Sequence, residues 1–104
     1  MANMNQMMRQ AQAMQRKMAK AQEELAEREV TGSAGGGMVT ATATGAGELL
    51  TVEINPEAVD PDDVEMLQDM VTAAVNEALR TAKELEQEVM GDIAGGMGLP
   101  PGLV

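Results

Sequence analysis

The sequence contains no phenylalanine, tyrosine or tryptophan among its 104 residues. Aromatic side chains usually contribute the largest buried areas in a small core, and a single domain of this length already buries a modest share of its surface. The apolar side chains are mainly alanine, valine, leucine and eleven methionines. We therefore expect one domain whose core is completed by a second copy of the chain.

Cysteine and histidine are also absent. This excludes disulfides, thiolate or imidazole metal ligands, and Ser-His or Cys-His nucleophiles. Carboxylates are plentiful, but the sequence identifies no positioned pair for general acid–base chemistry. We predict a protein that is not an enzyme and that uses no metal ion, cofactor or small-molecule substrate.

Long hydrophobic runs are missing as well. Nowhere do eighteen apolar residues follow one another, so we expect no membrane-spanning segment. The first ten residues lack the apolar core and cleavage site of a signal peptide. The sequence predicts a cytoplasmic protein with no membrane partner.

The net charge is −10, but basic and acidic residues are separated along the chain. Residues 1–22 carry a charge of +4 and no acid, whereas residues 23–104 carry −14. The four bases of the first segment are Arg9, Arg16, Lys17 and Lys20. One end of an acidic protein is therefore basic.

From about Asn3 to Glu29 the sequence predicts one long helix, because apolar residues recur every three or four positions. These residues are Met4, Met7, Ala11, Met14, Met18, Ala21 and Leu25. At about 100° per residue, three bases lie opposite this apolar seam and Lys17 lies to one side. Charged helix faces are most often only solvated, but no acid balances these bases, which favours a contact with phosphates.

Alternating residues predict strands in the middle of the chain. Residues 38–44 place Val39, Ala41 and Ala43 on one face and threonines on the other. After the turn at Gly45–Gly47, residues 48–55 form the return strand, with one face made by Leu50, Val52 and Ile54.

A glycine-rich segment precedes this hairpin. Val30 and Thr31 suit a short strand, and Gly32–Gly37 is predicted to be a flexible linker. A phosphate-binding loop is disfavoured, because the segment lacks the required motif and precedes a strand, whereas phosphate loops lead into a helix.

The second helix is predicted to begin with Asp60 as its N-cap and Pro61 at its first position. The acids that follow suit the positive end of the helix dipole better than a metal site, since the calcium-loop pattern is missing. The helix continues to about Met90, where Gly91 is predicted to stop it. The sequence thus predicts one domain over 1–90 and a flexible Gly/Pro-rich tail over 91–104.

Four stretches in this order are similar to those of a known family. They are GAG at 45–47, VEINP at 52–56, EMLQDMVTAAVNEA at 65–78 and GMGLPPG at 96–102. Together with the Met- and Gln-rich first helix, they resemble the YbaB/EbfC family over nearly the whole chain.

The resemblance implies an α+β protomer with a long N-terminal helix, a three-stranded antiparallel sheet and a long C-terminal helix (α-β-β-β-α). It also implies a tweezer-like dimer joined through the sheet region, DNA binding, and a role in nucleoid organisation and gene regulation in bacteria. The sequence departs from the family in its second helix, which after Ala78 has only Arg80 and Lys83 before three glutamates. This argues against a DNA contact from the far end of that helix. The candidate DNA-binding residues are therefore Arg9, Arg16, Lys17 and Lys20.

Two functions follow from these observations. Phosphate contacts by Lys and Arg carry affinity without sequence information, and without aromatic side chains a base-stacking platform for single strands is disfavoured. We therefore predict a homodimer that binds double-stranded DNA with little sequence preference in the cytoplasmic nucleoid. The alternative is a homodimeric protein-interaction module without direct DNA contact. In that case the adaptable methionines pack against other helices, and the bases are only solvated.

Overall fold

The computed structural model describes residues 3–96 and contains two long helices and three strands. In chain order the elements are α1 (Met4–Glu27), β1 (Glu29–Ala34), β2 (Val39–Thr44), β3 (Leu49–Ile54), a short 3₁₀ helix (Pro56–Ala58) and α2 (Val64–Gly96). The strands form one antiparallel sheet in the order β1-β2-β3. The predicted α-β-β-β-α protomer is thereby confirmed.

The core lies between α2 and one face of the sheet. Val39, Ala41 and Ala43 of β2 are fully buried there, as their predicted alternation requires, and pack with Ala74 and Ala78 of α2. The largest fully buried side chains of residues 3–96 are Leu25 and Val39. The core is therefore built from small residues and brings its elements close together.

Strand β3 keeps Val52 and Ile54 on the predicted face, opposite Ala41 and Val39 of β2, but its pairing is irregular at its start. Its pairing with β2 shifts beside Ala43, which lies opposite Leu49 and leaves Leu50 without a partner in β2. Helix α2 crosses β1 and β2 but touches β3 only slightly. Val52 reaches the core, whereas Leu49, Leu50 and Ile54 remain about two-fifths exposed.

The predicted linker at Gly32–Gly37 is wrong in its first half. Residues 32–34 belong to β1 and pair with β2. Gly32 is buried, and a Cβ atom there would overlap the backbone nitrogen of Ala78 and lie 2.5 Å from the carbonyl oxygen of Ala74. The backbone of α2 thus rests directly on β1, which only glycine permits. The chain reverses afterwards, in a turn whose three glycines have positive φ.

The predicted N-cap of α2 is also wrong. The carboxylate of Asp63 accepts a hydrogen bond from the Met66 N–H at 3.2 Å, which makes Asp63 the cap. Asp60 accepts one from the Asp62 N–H at 2.9 Å, in the turn that contains Pro61 and precedes the helix. Both aspartates accept a hydrogen bond typical of a cap, but only Asp63 directly precedes the helix, which begins at Val64.

Gly91 does not stop α2. The helix continues to Gly96, and Ala94 is fully buried. Packing beyond Gly91 outweighs the cost of about 1 kcal/mol that glycine imposes inside a helix. The part of the predicted tail at 97–104 lies outside the described residues, so its flexibility stays a prediction.

Replacing either of two glycines with alanine should have opposite effects on stability. Gly32→Ala should lower the free energy of unfolding by about 3 kcal/mol, because the added methyl group meets backbone atoms of α2. Gly91→Ala should raise it by about 1 kcal/mol, because nothing lies within 4 Å and alanine favours the helix. Urea denaturation followed by circular dichroism measures both. Equal midpoints for Gly32→Ala and the unmodified protein would contradict the direct contact between α2 and β1.

Candidate nucleic-acid interface

Helix α1 is anchored to the rest of the protein by its last turns. Ala21 and Leu25 are buried against Met90 of α2. At the end of α1 the carbonyl of Arg28 accepts a hydrogen bond from the Gly45 N–H at 2.9 Å. A Cβ atom on Gly45 would lie 2.8 Å from the carbonyl oxygen of Leu25. The C-terminal end of α1 therefore packs closely against the β2–β3 turn.

The remainder of α1 extends away from the sheet. Helix α2 has 33 residues and spans about 50 Å, whereas a strand of six residues spans about 20 Å. Helix α2 therefore extends beyond the sheet. The last turns of α1 run antiparallel along this overhang, with Leu25 near Leu85 and Lys17 beside Ile93. The molecule consequently measures 73 × 22 × 16 Å. We call residues 4–20 of α1 the arm.

The start of the arm favours negatively charged ligands. The side-chain oxygen of Asn3 accepts a hydrogen bond from the Asn5 N–H at 2.9 Å and caps the helix. The first turn contains no acidic residue, so the positive end of the helix dipole is not neutralised there.

All four predicted DNA-binding side chains are exposed on the arm. Arg9, Arg16 and Lys20 point within about 40° of one another around the helix and span about 17 Å along it. Duplex DNA presents about ten phosphate charges over that length. These three residues thus form one basic face of a suitable size for a DNA backbone.

Lys17 lies apart from this face. It lines a shallow groove between the arm and α2 together with Lys20, Glu24 and Asp92. The structure therefore places Lys20 at the border of the basic face and the groove, and Lys17 within the groove beside acidic neighbours. Arg9 and Arg16 lie farther out on the arm.

The apolar seam predicted for α1 is only partly used within the protomer. Ala21 and Leu25 are buried, but Met4, Met7 and Met18 are 76%, 58% and 43% exposed. Neighbouring Met8 is also exposed. The periodicity thus predicted the buried positions of the last turns, and a contact for the rest of the seam stays a prediction.

Within residues 3–96, no helix is long and apolar enough to cross a membrane. The same part of the chain contains no grouping of three or more acidic side chains arranged to hold a metal ion.

Known proteins share both the sequence and the fold. The sequence model of the YbaB/EbfC DNA-binding family matches residues 1–97. A nucleoid-associated protein of Saccharopolyspora erythraea is 57% identical over 101 residues, covering 97% of this chain and 87% of that protein. A nucleoid-associated protein of Bacillus thuringiensis is 54% identical over 103 residues, covering 99% and 94%.

A solved structure supports the architecture independently. The crystal structure of the uncharacterized protein HP0035 from Helicobacter pylori matches with a TM-score of 0.79, over 89% of this chain and 98% of that one. The two sequences are 22% identical, so the likeness shows a shared fold.

Shortening Leu25 tests the anchoring of the arm. Leu25→Ala should lower the free energy of unfolding by about 3 kcal/mol, because it leaves a cavity where α1, α2 and the sheet meet. Backbone amides at 15–27 should then exchange hydrogen faster. Met18→Ala is the control, and its exposed side chain should change stability by less than about 0.5 kcal/mol. Unchanged exchange in α1 of the Leu25 variant would show that the arm is held elsewhere.

Proposed function

This chain belongs to the YbaB/EbfC DNA-binding family, and on that basis we propose that it binds double-stranded DNA with little sequence preference through the arms of a homodimer. It acts in the bacterial nucleoid, where it contributes to nucleoid organisation and gene regulation by binding and without catalysis. The observation that carries this proposal is the exposed basic face of the arm, formed by Arg9, Arg16 and Lys20 on a segment without acids.

The charge distribution supports the arm as the DNA-binding element. Residues 1–22 carry +4, whereas residues 29–79, which include the whole sheet, contain ten acids and no base. DNA is attracted to the first segment and repelled by the second. This polarity orients the protein with its arm towards the duplex.

The chemistry of the arm supports binding without sequence preference. Its bases make phosphate contacts, which are the same for every sequence. The chain has no aromatic side chain to stack on an unpaired base, which favours a duplex over a single strand.

A second copy of the chain covers the exposed flank of β3. Leu49, Leu50 and Ile54 form an apolar strip beside α2 that nothing else in residues 3–96 covers. A two-fold contact lets the same strip serve both copies, and it enlarges a core that contains only small side chains. The resulting dimer presents two arms, in the tweezer-like arrangement predicted from the sequence.

A charge placed in the β3 strip should abolish this dimer. The protein should sediment at twice the chain mass of 10.9 kDa at micromolar concentration, and Ile54→Lys should shift it towards the single-chain mass. The control is Thr51→Lys. Thr51 belongs to the same strand but lies opposite Thr42, on the other face of the sheet, so this variant should remain a dimer. A folded monomer of the unmodified protein would overturn the dimer proposal.

Removing two bases from the arm should weaken DNA binding and reduce its salt dependence. Three or four phosphate contacts from each protomer give a dimer about six to eight, and hence a log–log salt slope of about −5 to −7. Replacing Arg16 and Lys20 with glutamine removes about four contacts from a dimer, so the slope should become shallower by about 3.6. Fluorescence anisotropy with duplexes of several sequences at a series of salt concentrations measures this.

The matched control is Arg80→Gln with Lys83→Gln. It removes the same charge from α2, where Glu84 and two further glutamates follow, and it should have the smaller effect. Circular dichroism should show both variants folded, since glutamine is nearly as good a helix former as Arg and Lys. If the α2 pair proves essential and the arm pair dispensable, the DNA site has been placed on the wrong helix.

A further inference from the structure

The pairing of α1 with α2 determines where the end of α2 lies on the arm. The two helices run antiparallel, with Leu25 near Leu85 and Lys17 beside Ile93. A step of eight residues back along α1 therefore matches a step of eight residues forward along α2. Because both helices have the same rise per residue, the same register holds beyond these contacts.

The end of α2 coincides with the point at which the arm becomes uncovered. In this register Gly96, the last residue of α2, lies opposite Met14. Met14 is partly buried, whereas every residue from 3 to 12 is exposed. Within the part of the chain that the structure describes, α2 thus covers the arm as far as Met14, and nothing packs on the arm before that residue.

The uncovered part of the arm continues the apolar face that packs on α2 farther along the helix. Met7, Ala11 and Met14 lie within about 60° of one another around the helix, and Leu25 falls inside the same range. Met7 is 58% exposed. We call Met7, Ala11 and Met14 the outer seam. The basic face of the arm lies nearly opposite, so an occupant of the outer seam leaves the bases free.

The chain that follows α2 has the composition and the length to cover the outer seam. Two consecutive prolines favour an extended segment of about 3.1 Å per residue, so eight residues reach about 25 Å. The outer seam is about 10 Å long. We call residues 97–104 the outer tail. It carries no charge, and its apolar side chains are Met97, Leu99, Leu103 and Val104.

The covalent link at Gly96 favours the outer tail over a segment of another molecule. The outer tail begins opposite Met14, at one end of the outer seam. A short link of this kind gives the attached segment an effective concentration of about a millimolar. A second arm at micromolar protein concentration competes poorly with it.

We propose that the outer tail continues along the arm of its own chain and packs its apolar side chains on the outer seam. This contact prolongs the pairing of α1 with α2 and supports the arm while its basic face stays exposed. It replaces the expectation of a flexible tail, which rests on composition alone. It requires neither the β3 contact nor DNA binding.

Oxidation of individual methionines by hydrogen peroxide tests the contact, because an exposed thioether is converted to the sulfoxide faster than a covered one. Met7 and Met66 are a matched pair, with 58% and 59% exposure on the arm and at the start of α2. Deletion of residues 97–104 should raise the initial oxidation rate of Met7 severalfold and leave that of Met66 unchanged. Mass spectrometry of proteolytic peptides measures both rates in one sample.

A double substitution separates the apolar contact from the length of the chain. Leu99→Asn/Leu103→Asn keeps the length and the lack of charge, and it should raise the rate at Met7 as the deletion does. The matched control Val59→Asn/Val64→Asn removes two side chains that are 53% and 49% exposed outside the arm, and Met7 should stay slow. Circular dichroism verifies that each variant is folded.

Dilution distinguishes the outer tail from a second copy as the occupant. A contact within one chain does not depend on concentration, so the rate at Met7 in the unmodified protein should stay constant over about a hundredfold dilution. A rate that rises on dilution would assign the outer seam to another copy and overturn the proposal.

Three further outcomes would also overturn it. They are equal Met7 rates with and without the outer tail, a rise at Met66 as large as that at Met7, and a rise at Met7 in the valine control as large as in the leucine variant. Anisotropy with a duplex measures DNA binding separately, so a failure of this contact is distinguishable from a failure of the proposed function.

Discussion

The contact of the α2 backbone with β1 at Gly32 fixes the position of the other elements. Gly32, Ala74 and Ala78 are small enough for the helix to lie directly on the strand. Because α2 is held over β1 and β2, it cannot also cover β3, and the apolar side chains of that strand remain at the surface. The same axis, continued beyond the sheet, forms the overhang against which Ala21 and Leu25 anchor α1. A close contact between small residues thus determines both the open strand and the projecting arm.

A core of small residues leaves most of the larger apolar side chains elsewhere. Only Leu25 and Val39 are both sizeable and fully buried within residues 3–96. The exposed methionines and leucines are grouped rather than scattered, on the arm, along β3 and around Met66. Contiguous apolar patches on a protein surface usually mark interaction sites. In the proposed dimer the stability of the protomer and its association are coupled, because apolar surface that would enlarge the core of a single chain lies at the contact between chains.

The sequence predicted those features that depend on local periodicity. The alternation of Val39, Ala41 and Ala43 predicted the buried face of β2, and the bases of the arm were placed on one face of a helix that the structure confirms. Features that depend on distant partners were missed. Gly32 has the composition of a linker, and its role comes from α2, more than forty residues away. Gly91 has the composition of a helix stop, but packing of the following turn overrides its propensity. The choice between Asp60 and Asp63 as cap depends on where the chain leaves the 3₁₀ helix, which no local pattern specifies.

An acidic protein with a net charge of −10 can present a basic surface because its ends are far apart. At physiological ionic strength, exposed charges act over about 8 Å, whereas the molecule is 73 Å long. A ligand on the outer arm is therefore governed by Arg9 and Arg16, and the acids around Asp63 are screened from it. Lys20, at the border of the groove that contains Glu24 and Asp92, has acids nearby. Net charge describes such a molecule poorly, because it averages over two regions that do not share a local electrostatic environment. The elongated shape thus makes an acidic composition compatible with binding a polyanion, and it follows from the continuation of α2 past the sheet.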